Sequence, residues 1–352
     1  MSGSRLWTLV RLDLTQRVRS VAWYVMLGVF AAILVVVTAL SLLSFSYAGG
    51  AGAGAGVYSV VVFVVLLLAV LVSPTLSGNA INGDRDAANL APVQVTLATT
   101  AEIVLAKFLA AWLTGLSFAV IAVPFMLVAA VSGGVDPLVV LVSLVVLIVE
   151  IAIIAAIGVG LSGIVARPLF SVAVTYLVVA ALVIGTPIAF TLGGAAIRTE
   201  VTQSYRAYIY DDETGMTSNP PKCGPWETTT YEVPRFDTVW WILSANPFVI
   251  LADATPARFD ASGYPEDLFG NFSYLVRSAQ IPPQDSVVSW DDCARMPQPQ
   301  QQLTPEQLYN QTTPSWFVGL AVQPVLAAAL LWWGGSRTRT PSRTLPPGTR
   351  IA

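Results

Sequence analysis

Histidine is absent from the 352 residues, and lysine occurs only twice, at Lys107 and Lys222. The first absence excludes His-based catalysis, HExxH metal sites and histidine proton relays. The scarcity of lysine excludes more. A phosphate-binding GxxxxGK[ST] loop needs glycine directly before its lysine, but Ala106 precedes Lys107 and Pro221 precedes Lys222. The chain therefore brings no P-loop ATPase of its own. Charge is thin overall, at 11% of residues, against about 25% in a soluble domain. With 55% hydrophobic residues and a mean hydropathy of +0.68, most of the surface must face something other than water.

What is abundant is long apolar sequence. A bilayer-spanning helix needs about 20 apolar residues, and six runs meet that length, at 22–46, 56–78, 103–131, 137–165, 169–192 and 315–334. They predict an all-α polytopic membrane protein; weak alternating ten-residue segments, the mark of a membrane barrel, are not the pattern here. The breaks fall at the Gly-Ala run 48–56, a polar island at 79–102, the turn 132–136 and Arg167-Pro168. A polar insert, 193–314, separates the fifth run from the sixth. A stretch carrying Arg5, Arg11, Arg17 and Arg19 precedes the first run, which is longer than a signal peptide's apolar region and is expected to be retained.

Orientation follows from the basic residues. Eleven of 18 lie at 1–21, 79–107, Arg167 and 335–352, and none lies in the short loops 47–56 and 132–136. Both termini are expected in the cytoplasm of a cell-membrane protein. The insert has 15 acidic and 7 basic residues, net −8, and is expected outside. It holds both cysteines, Cys223 and Cys293, where an oxidising compartment permits a disulfide; two free thiols are the alternative. Before the first span, Leu6, Trp7, Val10, Leu14, Val18 and Val21 recur at steps of three and four, with Arg5, Arg11, Asp13, Gln16 and Arg19 on the other face. This is the pattern of an amphipathic interfacial helix over 1–21, or of a plain extension of span one.

The polar island reads SGNAINGDRDAANLAPVQVTLATTAEIVLAKFLAAW from Ser77 to Trp112. Asp84, Arg85 and Asp86 open it, Asn89-Leu90 and Leu97-Ala98-Thr99 follow, and Glu102 and Lys107 close it. This order resembles the cytoplasmic coupling segment of ABC-2 type transporter permeases: acidic-Arg-x-x-Gly-Thr-Leu, Leu-x-Thr-Pro, Glu-Ile-x-x-Gly-Lys. The chain departs from it at Ala88-Asn89, Thr99-Thr100 and Ala106. The resemblance implies a six-helix exporter permease of type V form, with an N-terminal elbow helix and a large extracytoplasmic insert. It implies Asp84, Arg85, Asp86, Asn89, Leu90, Leu97, Thr99, Glu102 and Lys107 as the contact for a separate ATPase. That partner would bind ATP and Mg, and this chain would hold no cofactor. A second copy or a sister permease would complete the pathway, and an amphiphilic, lipid-like or drug-like substrate would move outward. Membrane lipids are expected around the spans; nucleic acid is not an expected partner. The alternative is a membrane-anchored enzyme or sensor whose insert carries the function.

Other features sit beside this reading. Gly158, Gly160 and Gly163 end the fourth span, where small residues permit close helix approach; they match GxGxxG by chance, since no strand precedes them. Trp240, Trp241, Asn246, Pro247 and Phe248 lie in an apolar island inside the insert, too short to span. It is expected either to dip into the outer leaflet or to form the insert's own core. Glu150 is the one ionisable residue deep in a span. It is a candidate for the translocation path, or for a structural bond with a side chain such as Tyr176. The pairs Asp211-Asp212 and Asp291-Asp292 lack histidine, and no metal site is expected there.

Overall fold

A computed structural model describes residues 2–48, 53–88, 90, 93, 98–209, 222–284, 286–291, 293 and 303–339. Among these residues, six helices are long and apolar enough to cross a membrane. The protein is a multi-pass, predominantly α-helical membrane protein.

Helix α1 (Gly3–Val18) is separate from α2 (Val21–Ala48), the first span. Arg19 closes α1 and the chain turns at Ser20, so α1 is not an extension of span one. Its Val10 is fully buried against Ala106 and Ala110, and Leu6 and Leu14 are partly buried beside it, whereas Trp7 and Val18, expected on the same face, are exposed. Helix α3 (Ala53–Ser77) is the second span and leads into the short α4 (Asn82–Asp86). Spans three and four are α5 (Thr100–Gly133) and α6 (Pro137–Ile164). The 34 residues of α5 extend about 50 Å at 1.5 Å per residue, well beyond a hydrocarbon core of about 30 Å. Its first turns can therefore stand clear of the bilayer.

Span five is interrupted. Helix α7 (Pro168–Ala180) passes through a π-helical turn, Ala181–Gly185, into α8 (Thr186–Ala196), four residues beyond the expected end. Span six is α12 (Trp316–Thr338). Proline begins α6, α7 and α12's predecessor α11 (Pro305–Gln311), where its missing N–H costs nothing and its fixed φ favours the helix.

The central helix is α3, with Val57, Tyr58, Val61, Val62, Val65 and Leu66 buried against α2, α5 and α6. Span one has the opposite character: Val25, Val29, Val36 and Leu40 are exposed along it, as a lipid-facing helix requires. The passes put α1, the end of α3, the start of α5, the end of α6 and the end of α12 on one side, here the α1 side. The insert lies on the other.

The insert is not all helical. Strands β1 (Arg198–Arg206), β2 (Glu227–Pro234) and β3 (Ser286–Asp291) form a sheet ordered β2-β1-β3, antiparallel then parallel. Arg206 donates twice to Asp291, at 2.9 and 2.7 Å. A disulfide joins Cys223 to Cys293, with Cα atoms 5.9 Å apart. Helices α9 (Pro247–Ala254) and α10 (Leu268–Ser278) leave this sheet and pack on the bundle. Phe63 of α3 meets Phe248, Phe269 and Phe272 with ring centroids 6.0, 5.1 and 5.2 Å apart.

Candidate coupling site and intramembrane core

The start of α5 is fixed by its own sequence. Thr99 caps the helix: its hydroxyl accepts from the Glu102 N–H at 3.3 Å, and Glu102 accepts the Thr99 N–H at 2.8 Å. This reciprocal pair is a capping box, which satisfies two otherwise orphaned donors. The second oxygen of Glu102 accepts the Ser2 N–H at 2.6 Å and lies 3.4 Å from Arg5. Thr99 and Glu102 thus start α5 and also seat the beginning of α1 upon it.

Lys107, further along α5, joins three elements. Its ammonium donates to Asp13 of α1 at 2.8 Å and pairs with Asp84 of α4. All three side chains are mostly buried, so removing the cation would strand two carboxylates in a low-dielectric crevice. Arg17 of α1 donates to the Leu76 carbonyl at the end of α3, at 2.9 Å. Arg85 is half-buried, while Asp86 and Thr99 are exposed. Leu90 is buried with Ile81, Ile103 and Val104. Asn89 and Leu97, the other expected contacts, lie outside the described residues, as do Pro92, Asp211, Asp212 and Asp292.

Ala88 has φ +56°, in the left-handed region. This is the position where the coupling pattern carries glycine. A residue with a Cβ pays about 1 kcal/mol there, so glycine in the pattern has a backbone reason.

The passage from α3 to α4 is clamped to the end of span four by groups that sequence reasoning missed. The Ser162 hydroxyl accepts the Ile81 and Asn82 N–H groups at 2.8 and 3.2 Å and donates to Asn82 Oδ1 at 3.1 Å. Asn82 also donates to the Val165 carbonyl at 3.1 Å. A serine inside the small-residue run 157–163 was the only hint available.

The glycines of that run face different neighbours. A side chain at Gly163 would come within 2.8 Å of the Gly334 Cα, and one at Gly160 within 2.6 Å of the Leu330 carbonyl carbon, both in α12. One at Gly158 would strike Ser77 of α3. Glu150, two turns earlier on α6, is fully buried, and neither carboxylate oxygen completes a hydrogen bond among the described residues. Its polar neighbour is Gln323 of α12, whose amide donates to the Ala245 carbonyl at 2.9 Å. Tyr176 is not its partner, since that hydroxyl donates to Leu71 O at 2.7 Å.

Near the insert, the Asn246-Pro247-Phe248 element explains the irregular fifth span. Pro187 has no N–H to give the carbonyl four residues earlier, that of Val183. The chain opens into the π turn there, and Asn246 supplies the donor: its Nδ2 reaches Val183 O at 2.9 Å and Thr186 Oγ1 at 3.0 Å. The Asn246 Oδ1 accepts the Phe248 N–H at 2.9 Å and caps α9. Trp240 and Trp241 lie in the 3₁₀ turn before it, Trp241 exposed. Ile250 and Leu251 are fully buried in the main core of the bundle, so the element is no separate core of the insert. Asp253, at the end of α9, accepts Ser273 Oγ, Arg277 Nε, Ser315 N and Oγ, and Trp316 N at 2.5–3.1 Å. This buried carboxylate ties α10 to the start of span six. Nearby, two bonds from Arg235 hold the Asp237 carboxyl below the usual carboxylate range.

No protein-family model and no curated protein matches this chain.

Proposed function

We propose that this protein is the membrane-spanning permease subunit of an ATP-driven exporter of the ABC-2 type. A separate ATPase docks on the α1 side at the island 79–102. The observation that carries the reading is the convergence of Asp13, Asp84 and Lys107: α1, α4 and α5 share one buried ion cluster. A push on the exposed island then reaches span three directly through Lys107 and span four through Ser162. Rigid elements joined by charge pairs are suited to pass on a rocking motion, whereas an ordinary loop would absorb it.

On this reading the α1 side is cytoplasmic, as the placement of Arg and Lys argues, and the insert with its disulfide is outside the cell membrane. Two copies, or this chain and a sister permease, pair above two ATPase subunits, which bind the ATP and Mg. The cargo is amphiphilic and leaves outward.

The test is charge reversal at two island residues that form no ion pair among the described residues, Arg85→Glu with Asp86→Lys. The expected result is loss of ATPase co-purification and of transport with membrane insertion unchanged. A variant that keeps both the complex and transport would place the coupling surface elsewhere.

A further inference from the structure

We propose that the cavity between span five and helices α9 and α10 holds one acyl chain of a bilayer phospholipid, from the leaflet on the insert side. The cavity measures about 590 Å³, within the range of about 300–1,000 Å³ usual for small-molecule sites. Phe190, Phe236, Phe248 and Phe272 contribute to its wall.

The chemistry of the wall selects hydrocarbon. Three polar side chains line the cavity, and each is engaged within the protein. Thr191 donates to Pro187 O at 2.8 Å, Ser278 donates to Leu275 O at 2.9 Å, and Asn246 is spent on the π turn and the α9 cap. The hydroxyl and amide hydrogens of these side chains are all committed, so a sugar, a nucleotide or a headgroup would find no free side-chain donor and only the leftover lone pairs of oxygens already in bonds. A saturated chain needs none.

The position of the mouth selects the bilayer as the source. The lining residues Val183, Pro187 and Thr191 form one stripe of span five. The adjoining stripe, Ile184, Ile188 and Leu192, is exposed and apolar. Across the mouth, Phe272 and Leu275 of α10 are exposed too. An aqueous opening would strand both apolar rims in water, whereas a lipid-facing one continues the surface of the span. The π turn and Pro187 create the recess: a regular helix there would carry span five straight past α9. π-helical turns are frequent at functional sites. The proposal rests on the cavity and its rims and stands whether or not the protein is an exporter.

The full chain, reconstituted into nanodiscs doped with a phospholipid bearing a diazirine on its acyl chain, is photolysed and the adducts are mapped by mass spectrometry. The expected result is labelling of residues 183–191 and 272–279 severalfold above the lipid-facing stretch Val25–Val36 of span one. Leu275→Trp and Ala279→Trp, which fill the cavity, should abolish the excess and leave span-one labelling unchanged. Labelling of the cavity no denser than that of span one would overturn the proposal, and this wild-type comparison decides even if the tryptophan variants fail to fold. Displacement of the label by a free fatty acid as readily as by unlabelled phospholipid would overturn the phospholipid as occupant.

Discussion

Lys107 is one of two lysines in the chain, and it is held by carboxylates from two other helices. The coupling pattern drew attention to Lys107 and Glu102, but not to the ion cluster and the capping box that they form. Asp13 drew no attention: it lay on the polar face of a predicted interfacial helix, where solvent is the default partner. Two residue-scale expectations follow from local environment. Ala88 sits at positive φ, so Ala88→Gly should raise stability by about 0.5–1 kcal/mol, read as a higher unfolding midpoint in detergent; an unchanged or lower midpoint would mean that the turn relaxes in solution. Glu150 was visible in the sequence as a lone carboxylate in an apolar run, but its neighbour Gln323 lies 173 positions away and no periodicity links them. Full burial between α6 and α12 keeps Glu150 off every surface of the single chain, including any face that a second copy would share. Glu150→Gln should therefore express and transport as the parent does. A transport defect in a normally folded Glu150→Gln protein would return this residue to the translocation path.

At the scale of elements, the apolar runs predicted the spans to within a few residues, because hydrophobic length is a local property. The π turn was not foreseen: Pro187 lies within span five, but Pro74, Pro124 and Pro324 lie within other spans that continue as regular α-helix, so a proline alone did not mark the break. What sequence could not show is that its donor comes from Asn246, some 60 residues on. Asn246→Ala removes that donor, leaves the Val183 carbonyl unpaired and uncaps α9, and should cost about 1–3 kcal/mol. It should also weaken labelling of the neighbouring cavity. Full stability in that variant would show that the turn satisfies itself with water. The small sheet was equally illegible, since β1 and β2 are mostly polar and the strands pair across long stretches of sequence. Its disulfide closes a 70-residue separation, and such closure stabilises by about 4 kcal/mol in the chain-entropy model. Reduction should lower the unfolding midpoint of the insert and leave the helical signal of the spans intact. A midpoint that does not move on reduction would mean that the sheet holds the insert together without it.

For the whole molecule, six passes place the island, α1 and the end of span six together, opposite a disulfide-bearing insert. Composition alone showed the membrane class, because so few charges cannot clothe a soluble protein of this size. The arrangement of Asp13, Asp84, Glu102 and Lys107 needed the structure, since it depends on α1 folding back onto α5 and on α4 being held to the end of span four. On the proposed reading the chain is inert without a separate ATPase, and the docking surface includes the exposed end of α4. The most direct measurement places a photo-crosslinking amino acid at position 86, in the cells that produce the protein, and identifies the captured chain by mass spectrometry. The account predicts a partner carrying a GxxxxGK[ST] loop, captured at position 86, lost on Arg85→Glu and not captured from position 241 on the opposite side. Capture of that partner from position 241 instead, or sustained ATP hydrolysis by the purified chain alone, would contradict it.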